Sequence, residues 1–189
     1  VADTITGAGG ADTITGGSGA DTIDLGDGAT AGTDNDVVAY TTSTDGSATE
    51  TIMNFVVGDD DFQLDISGFG LSAGAGALVS GNYAENTIAN ITGGVGLTSA
   101  DITVITFTDT VNAATIDTNL ATAIGSNGAT DMGSVFVVYN NGVDTFLGYD
   151  SDASVDGGGV TEMAIIDTDN AGASLDESLL SEANFTLVT

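Results

Sequence analysis

Gly16-Gly17-Ser18-Gly19-Ala20-Asp21-Thr22-Ile23-Asp24 satisfies every specified position of the nonapeptide G-G-x-G-x-D-x-U-x, where U is a large apolar residue. The preceding block, Gly7-Ala8-Gly9-Gly10-Ala11-Asp12-Thr13-Ile14-Thr15, repeats it with one glycine replaced by alanine, and Ala2-Asp3-Thr4-Ile5-Thr6 is the tail of a further copy. Asp3, Asp12 and Asp21 therefore share one period, and Ile5, Ile14 and Ile23 share it with them. Glycine-rich residues turn and the short apolar-centred stretch extends, which predicts a parallel β-roll in which two repeats make one turn. Asp3 and Asp21 should then share one edge, with Asp12 on the other beside the next loop, Leu25-Gly26-Asp27-Gly28-Ala29. The pattern breaks in that loop, and Asp36-Val37-Val38 reads as the D-x-U of a displaced repeat.

Such loops suit a hard divalent cation. Calcium takes six to eight oxygens at about 2.3–2.6 Å and tolerates flexible, carbonyl-rich loops better than magnesium does. Glycines let the backbone turn its carbonyls inward where a Cβ would clash. The candidate carbonyl positions are Gly7, Gly9, Gly16 and Ser18, and the leading carboxylates are Asp12 and Asp21. Asp3, whose own loop is truncated, Asp27, at a variable position, and Asp36 are further candidates. Without an ion these carboxylates face one another unpaired, so binding and folding should be coupled.

Composition pushes the same way. The chain of 189 residues carries 28 acidic side chains and no lysine, arginine or histidine, a formal charge of -28. No ion pair between side chains can form, and such like charge repels itself unless screened, protonated or bridged by cations. Phosphate backbones and anionic membranes are excluded as direct partners, because their binding depends on Lys and Arg. Catalysis through histidine triads, cysteine nucleophiles, Schiff bases or zinc–histidine sites is excluded too, and no carboxylate pair stands out, so a non-enzymatic chain is expected. With 41% apolar residues in short strand-like runs the chain should still fold. Its apolar runs, such as Val135 to Tyr139, are too short to span a bilayer as a helix.

Beyond the repeats, strand-like stretches alternate with Gly, Asn and Asp turns, and proline is absent. Asn140-Asn141-Gly142 marks a hairpin. Ile116, Leu120 and Ile124 recur at helical spacing, with Asn112 as N-cap and Gly125 at the C-terminal end. The expected architecture is all-β: a short parallel β-roll over residues 1–40, then an antiparallel β-sandwich or jelly-roll-like domain over 41–189 with one short α-helix near 112–124. Asp152-Ala153-Ser154-Val155-Asp156-Gly157 matches the opening of an EF-hand-like loop, with Asp150 two residues before it. Its flanks are strands and its twelfth position is Met163, so Asp152 and Asp156 are metal candidates in competition with an ordinary acidic hairpin. Asp59-Asp60-Asp61 reads first as a solvated turn, with metal ligation as the lesser alternative.

On these nonapeptides the chain resembles the RTX (repeats-in-toxin) proteins exported by bacterial type I secretion, and among them calcium-binding surface-layer and surface-associated proteins. The run Thr51 to Asp65 is similar to the segment that commonly follows such repeats, and Val135 to Thr189 to the terminal β-domain of those proteins. The resemblance implies Ca2+ as the bound ion, an extracellular or bacterial cell-surface location, and a secretion signal in the last region. The expected role is a structural subunit of a surface layer, filament or matrix that folds and assembles on calcium. Its expected partners are copies of itself, in a homo-oligomer or polymer, with a cell-surface polysaccharide as the further candidate. The alternative is a non-catalytic C-terminal export or folding module of a larger secreted hydrolase or adhesin.

Overall fold

A computed structural model of the chain describes residues 1–26, 34–71, 76–77, 83–86, 104–127, 134–153, 157–169 and 172–189. Its repeat region alternates strand by strand between two sheets. β1 (Thr4–Thr6), β3 (Thr22–Asp24) and β5 (Glu50–Met53) are parallel neighbours in one; β2 (Thr13–Ile14), β4 (Val37–Tyr40) and β6 (Asp61–Asp65) are parallel neighbours in the other. The chain thus winds as a flattened coil, the roll that the repeats predict. The apolar position of each D-x-U tripeptide stacks on its equivalent one turn on: Ile5 on Ile23 on Ile52, and Ile14 on Val38 on Phe62. Strand alternation turns these residues inward and their neighbours outward, and all but the first-turn Ile5 are buried in one core.

Turn length varies along the coil. Asp3 and Asp21, 18 residues apart, occupy equivalent places, whereas Asp12, Asp36 and Asp60 are spaced by 24. The stacking continues past the nonapeptides as far as Asp65. β5 then pairs on its far side with β12 (Val160–Ile166), and β6 with β13 (Phe185–Val188), both in parallel. Both sheets therefore run without interruption from the coil into the rest of the chain. The first has the order β1-β3-β5-β12-β11-β10-β9-β8, with β8 (Tyr83–Asn86), β9 (Val104–Thr110), β10 (Val135–Asn140) and β11 (Thr145–Asp150); the second has the order β2-β4-β6-β13-β7, with β7 (Gly76–Ala77).

The antiparallel pairing expected after the coil is found for β10–β11–β12 and for β13–β7. β8, β9 and β10 are mutually parallel, so the larger sheet is mixed. The β10–β11 hairpin turns at Asn141 and Gly142 as its sequence predicts: Asn141 Oδ1 accepts the N–H groups of Val143 and Asp144, and Gly142 has φ +95°.

The helix α1 runs Ala113–Asn127, capped by Asn112, whose Oδ1 accepts the Thr115 N–H at 3.0 Å. It continues through Gly125 rather than stopping before it. Ile116 and Leu120 pack on the outer face of the larger sheet, and β10 shows how one strand serves two cores. Phe136 and Val138 face the inter-sheet core, while Val135, Val137 and Tyr139 face the helix. A strand buried on both sides reads as the continuous apolar run Val135 to Tyr139.

Candidate metal centre

Each turn of the coil presents an acidic residue immediately before a strand, and these stack into two ladders. Asp3, Asp21 and Glu50 precede β1, β3 and the body of β5; Asp12, Asp36 and Asp60 precede β2, β4 and β6. Within a ladder, one carboxylate oxygen receives the backbone N–H of the residue one turn earlier. Asp21 Oδ1 accepts from Asp3 N at 2.7 Å, Asp36 Oδ1 from Asp12 N at 2.8 Å, and Asp60 Oδ1 from Asp36 N at 3.0 Å. These bonds hold successive turns in register and orient each carboxylate, so one oxygen has a structural task.

The second oxygen differs from site to site. Asp60 Oδ2 accepts the Val56 N–H at 2.7 Å. Asp21 Oδ2 has no hydrogen-bond partner although Asp21 is 1% exposed, and Glu50 Oε1 has none although Glu50 is equally buried. Both unpartnered oxygens border the same space. A Cβ on Gly16 would stand 2.5 Å from Glu50 Oε1 and 2.8 Å from Asp21 Oδ2. The first glycine of the complete nonapeptide therefore leaves open a cradle walled by two carboxylates. Glu50 Oε2 is fixed from the other side by the Tyr40 hydroxyl, which donates at 2.5 Å.

Burial pushes Glu50 up to about 7; the Tyr40 hydrogen bond opposes this, and the charges of Asp21 and Asp45 add to it. An anion buried beside another anion needs a counter-charge or a proton, and no side chain of this protein carries positive charge. Asp45 shows the alternative. Its carboxylate accepts from the backbone and hydroxyl groups of Thr41 and Thr42, and these donors hold it below the ordinary carboxylate range against the opposing effect of burial.

The preceding repeat has a related cradle. A Cβ on Gly7 would stand 3.3 Å from Asp12 Oδ2 and 3.1 Å from the Leu25 carbonyl oxygen, so one carboxylate and one carbonyl border that space. Among the described residues no three acidic side chains gather on one point. An ion held here would take its remaining oxygens from the backbone and water, as calcium readily does. The donor set fits calcium.

The residues singled out from sequence fall into three groups. Asp12 and Asp21 lie over the first glycines of their own repeats, Gly7 and Gly16, as expected, and Asp36 joins the Asp12 ladder with its carboxyl raised by burial. Asp3 is exposed and its N–H donates to Asp21 Oδ1, and the Ser18 carbonyl accepts from the Val1 nitrogen. Gly9 is exposed, its Cβ position 3.8 Å from Asp34 Oδ2. Asp152 lies away from the coil, at the end of β11, where its N–H donates to Asp150 Oδ1. Asp27 and Asp156 lie outside the described residues.

Glu50 was not among the expected ligands, and Asp60 only as the lesser alternative to a solvated turn. Asp60 is 3% exposed and belongs to the ladder, contrary to the solvated turn expected for Asp59 to Asp61; burial is the main cause that raises it to about 6. The signal was present: Glu50-Thr51-Ile52 and Asp60-Asp61-Phe62 repeat the acidic–x–apolar tripeptide without the regular spacing.

The family model described as the RTX calcium-binding nonapeptide repeat (4 copies) matches residues 2–30. No curated protein and no solved structure matches the chain. Among the described residues, no helix is long and apolar enough to cross a membrane.

Proposed function

From residues 2–30 being RTX calcium-binding nonapeptide repeats, we propose that this chain is a non-enzymatic structural subunit of an extracellular surface layer, filament or matrix, ordered by calcium after type I secretion. RTX repeats bind Ca2+ and are typical of secreted proteins. The observation that carries the calcium-dependent reading is the pair of unpartnered oxygens, Asp21 Oδ2 and Glu50 Oε1, facing one another over Gly16. One ion seats there, and a second seats over Gly7 against Asp12 and the Leu25 carbonyl.

Compartment then sets the state. Extracellular calcium modules bind at about 10⁻⁴–10⁻³ M, so submicromolar cytosolic calcium leaves the sites empty and millimolar external calcium fills them. A site of about 10⁻⁴ M affinity in about 1 mM calcium contributes roughly 1.4 kcal/mol to folding. Two such sites together contribute roughly 3 kcal/mol, which matters for a chain that repels itself with 28 negative charges. The same charge keeps copies apart unless cations bridge them, which makes assembly depend on calcium as well as folding. Ancillary contact with a cell-surface polysaccharide is compatible with such a coat.

Sedimentation with and without calcium tests the reading. Large particles in calcium and monomers in chelator are expected, with circular dichroism gaining strand signal on calcium addition. A chain that stays monomeric in millimolar calcium is not a self-assembling subunit, and the export or adhesin module becomes the better account. A chain indifferent to chelator in both measurements overturns calcium ordering itself.

A further inference from the structure

Phe146, Gly148 and Asp150 alternate along β11 and share one face. That face is the helix side: Phe146 packs with Ile116 and Leu120, and a Cβ on Gly148 would meet Val137 and Val160 of the same apolar group. Asp150 therefore enters the layer between sheet and helix at the strand end, opposite Val135 and Val160. It is 0% exposed. Its Oδ1 accepts the Asp152 N–H at 2.9 Å, and its Oδ2 is buried with no partner. Asp117 of α1, buried too, has its oxygens held by the N–H groups of Gly157 at 2.8 Å and Gly159 at 3.2 Å. Both its charge and that of Asp152 bear on Asp150, which burial has already raised to about 6.

We propose that Asp150 holds a further calcium ion through Oδ2, at the junction of α1, β11 and β12 and outside the repeat coil. Asp117 and Asp152 supply the surrounding negative charge, while backbone and water oxygens complete the shell. Asp150 differs from Asp45 in the feature that matters: Asp45 is saturated by neutral donors, whereas Asp150 keeps an unpartnered buried oxygen next to two more anions. Desolvating such a group without a partner is strongly unfavourable. The ion would tie α1 to the approach to β12 at Gly157 and Gly159, whose amides already reach across to the helix. This site goes beyond the calcium sites of the coil and stands or falls separately from them.

Calcium titration of the full chain by calorimetry, together with amide exchange at Gly157 and Gly159, tests it. Calcium should slow exchange at both glycines in the unaltered chain and in Glu50→Gln. Asp150→Asn should bind one ion fewer and lose most of the calcium response at both glycines, keeping only what β5 and β12 transmit from the coil, while the Asp3 and Asp12 amides of the coil respond in full. Should Asp150→Asn fold poorly, Asp152→Asn, at a half-buried loop position, should weaken this one binding class several-fold and leave the coil class alone. Unchanged ion number in folded Asp150→Asn, or glycine amides that ignore calcium in the unaltered chain, overturns the site. Coil amides that ignore calcium while Gly157 and Gly159 respond would instead refute the proposed calcium ordering of the coil and leave this site standing.

Discussion

Replacing Glu50 by glutamine should stabilise the calcium-free chain while blunting its response to calcium. The folded chain holds the Glu50 proton up to about 7, against an ordinary value of 4.5. Its contribution to folding is thus fully present below about 4.5 and lost as pH rises through about 7, so above 7 the ionised group opposes folding by roughly 3 kcal/mol. Glutamine removes that charge with almost no change of shape. Its carbonyl can keep the Tyr40 hydrogen bond, and its NH2 then lies where Oε1 lay, facing Asp21 Oδ2 with a donor instead of an anion. For a chain of this size about 3 kcal/mol corresponds to a rise in Tm of ~5–10 °C. Thermal melts followed by circular dichroism, in chelator and in about 1 mM calcium, should show the variant above the parent without calcium and gaining less when calcium is added. In chelator, acidification from about pH 7.5 to pH 5 should stabilise the parent by about 2 kcal/mol more than the variant, because both keep the contributions of Asp60 and Asp150, each raised to about 6. A calcium-free variant less stable than the parent at neutral pH, or the same acid step in parent and variant, would refute the reading of Glu50 as an uncompensated buried anion.

Gly16→Ala places a methyl group against both Glu50 Oε1 and Asp21 Oδ2, and should lower calcium affinity at this cradle at least tenfold, read as a right-shifted calorimetric titration. Ala8 stands at φ +71° where the complete nonapeptide has glycine, so Ala8→Gly should raise stability by about 1 kcal/mol in chemical denaturation. Calcium and protons compete for Glu50, so calcium affinity should fall as pH drops below about 7; affinity unchanged down to about pH 5 would exclude Glu50 as a ligand.

The coil was legible because its period is short and strict. Asp12 and Asp21 sit where the nonapeptide places them, and Ile5, Ile14 and Ile23 stack as its apolar position requires. What spacing alone could not reveal is where the coil ends. Once turn length changes, the repeat survives only as an acidic–x–apolar tripeptide, a pattern too short to be distinctive, yet it is the part that hydrogen bonding preserves. The strand N–H groups of Thr22, Thr51, Val37 and Asp61 all bond to the carbonyls of the acidic residues one turn earlier, whatever the loop between them contains. Asp150 was legible as the acidic residue two before the run Asp152 to Gly157, but its nearness to Asp117 was not, because Asp117 lies on a helix whose docking on the far side of the sheet follows from tertiary packing that no local pattern encodes.

Glu50 also matters for how far calcium can act. It opens β5, which pairs with β3 of the repeats on one side and with β12 on the other, Ile52 standing beside both Ile23 and Ile166. Asp60 has the same position on the other sheet, preceding β6, which pairs with β4 and with β13. A charge neutralised at Glu50 therefore acts on a strand shared by the coil and the rest of the larger sheet, and the inter-sheet core is continuous across it. Two separately stable parts would need a boundary where few contacts cross, whereas among the described residues β5 pairs with strands on both sides. Calcium should then protect amides well outside the repeats: exchange at Ala164 to Ile166 should slow on calcium addition in the unaltered chain and slow far less in Glu50→Gln. Protection confined to residues before Met53 would show that the shared strand does not couple the two regions, and the proposed calcium ordering would reach no further than the coil itself.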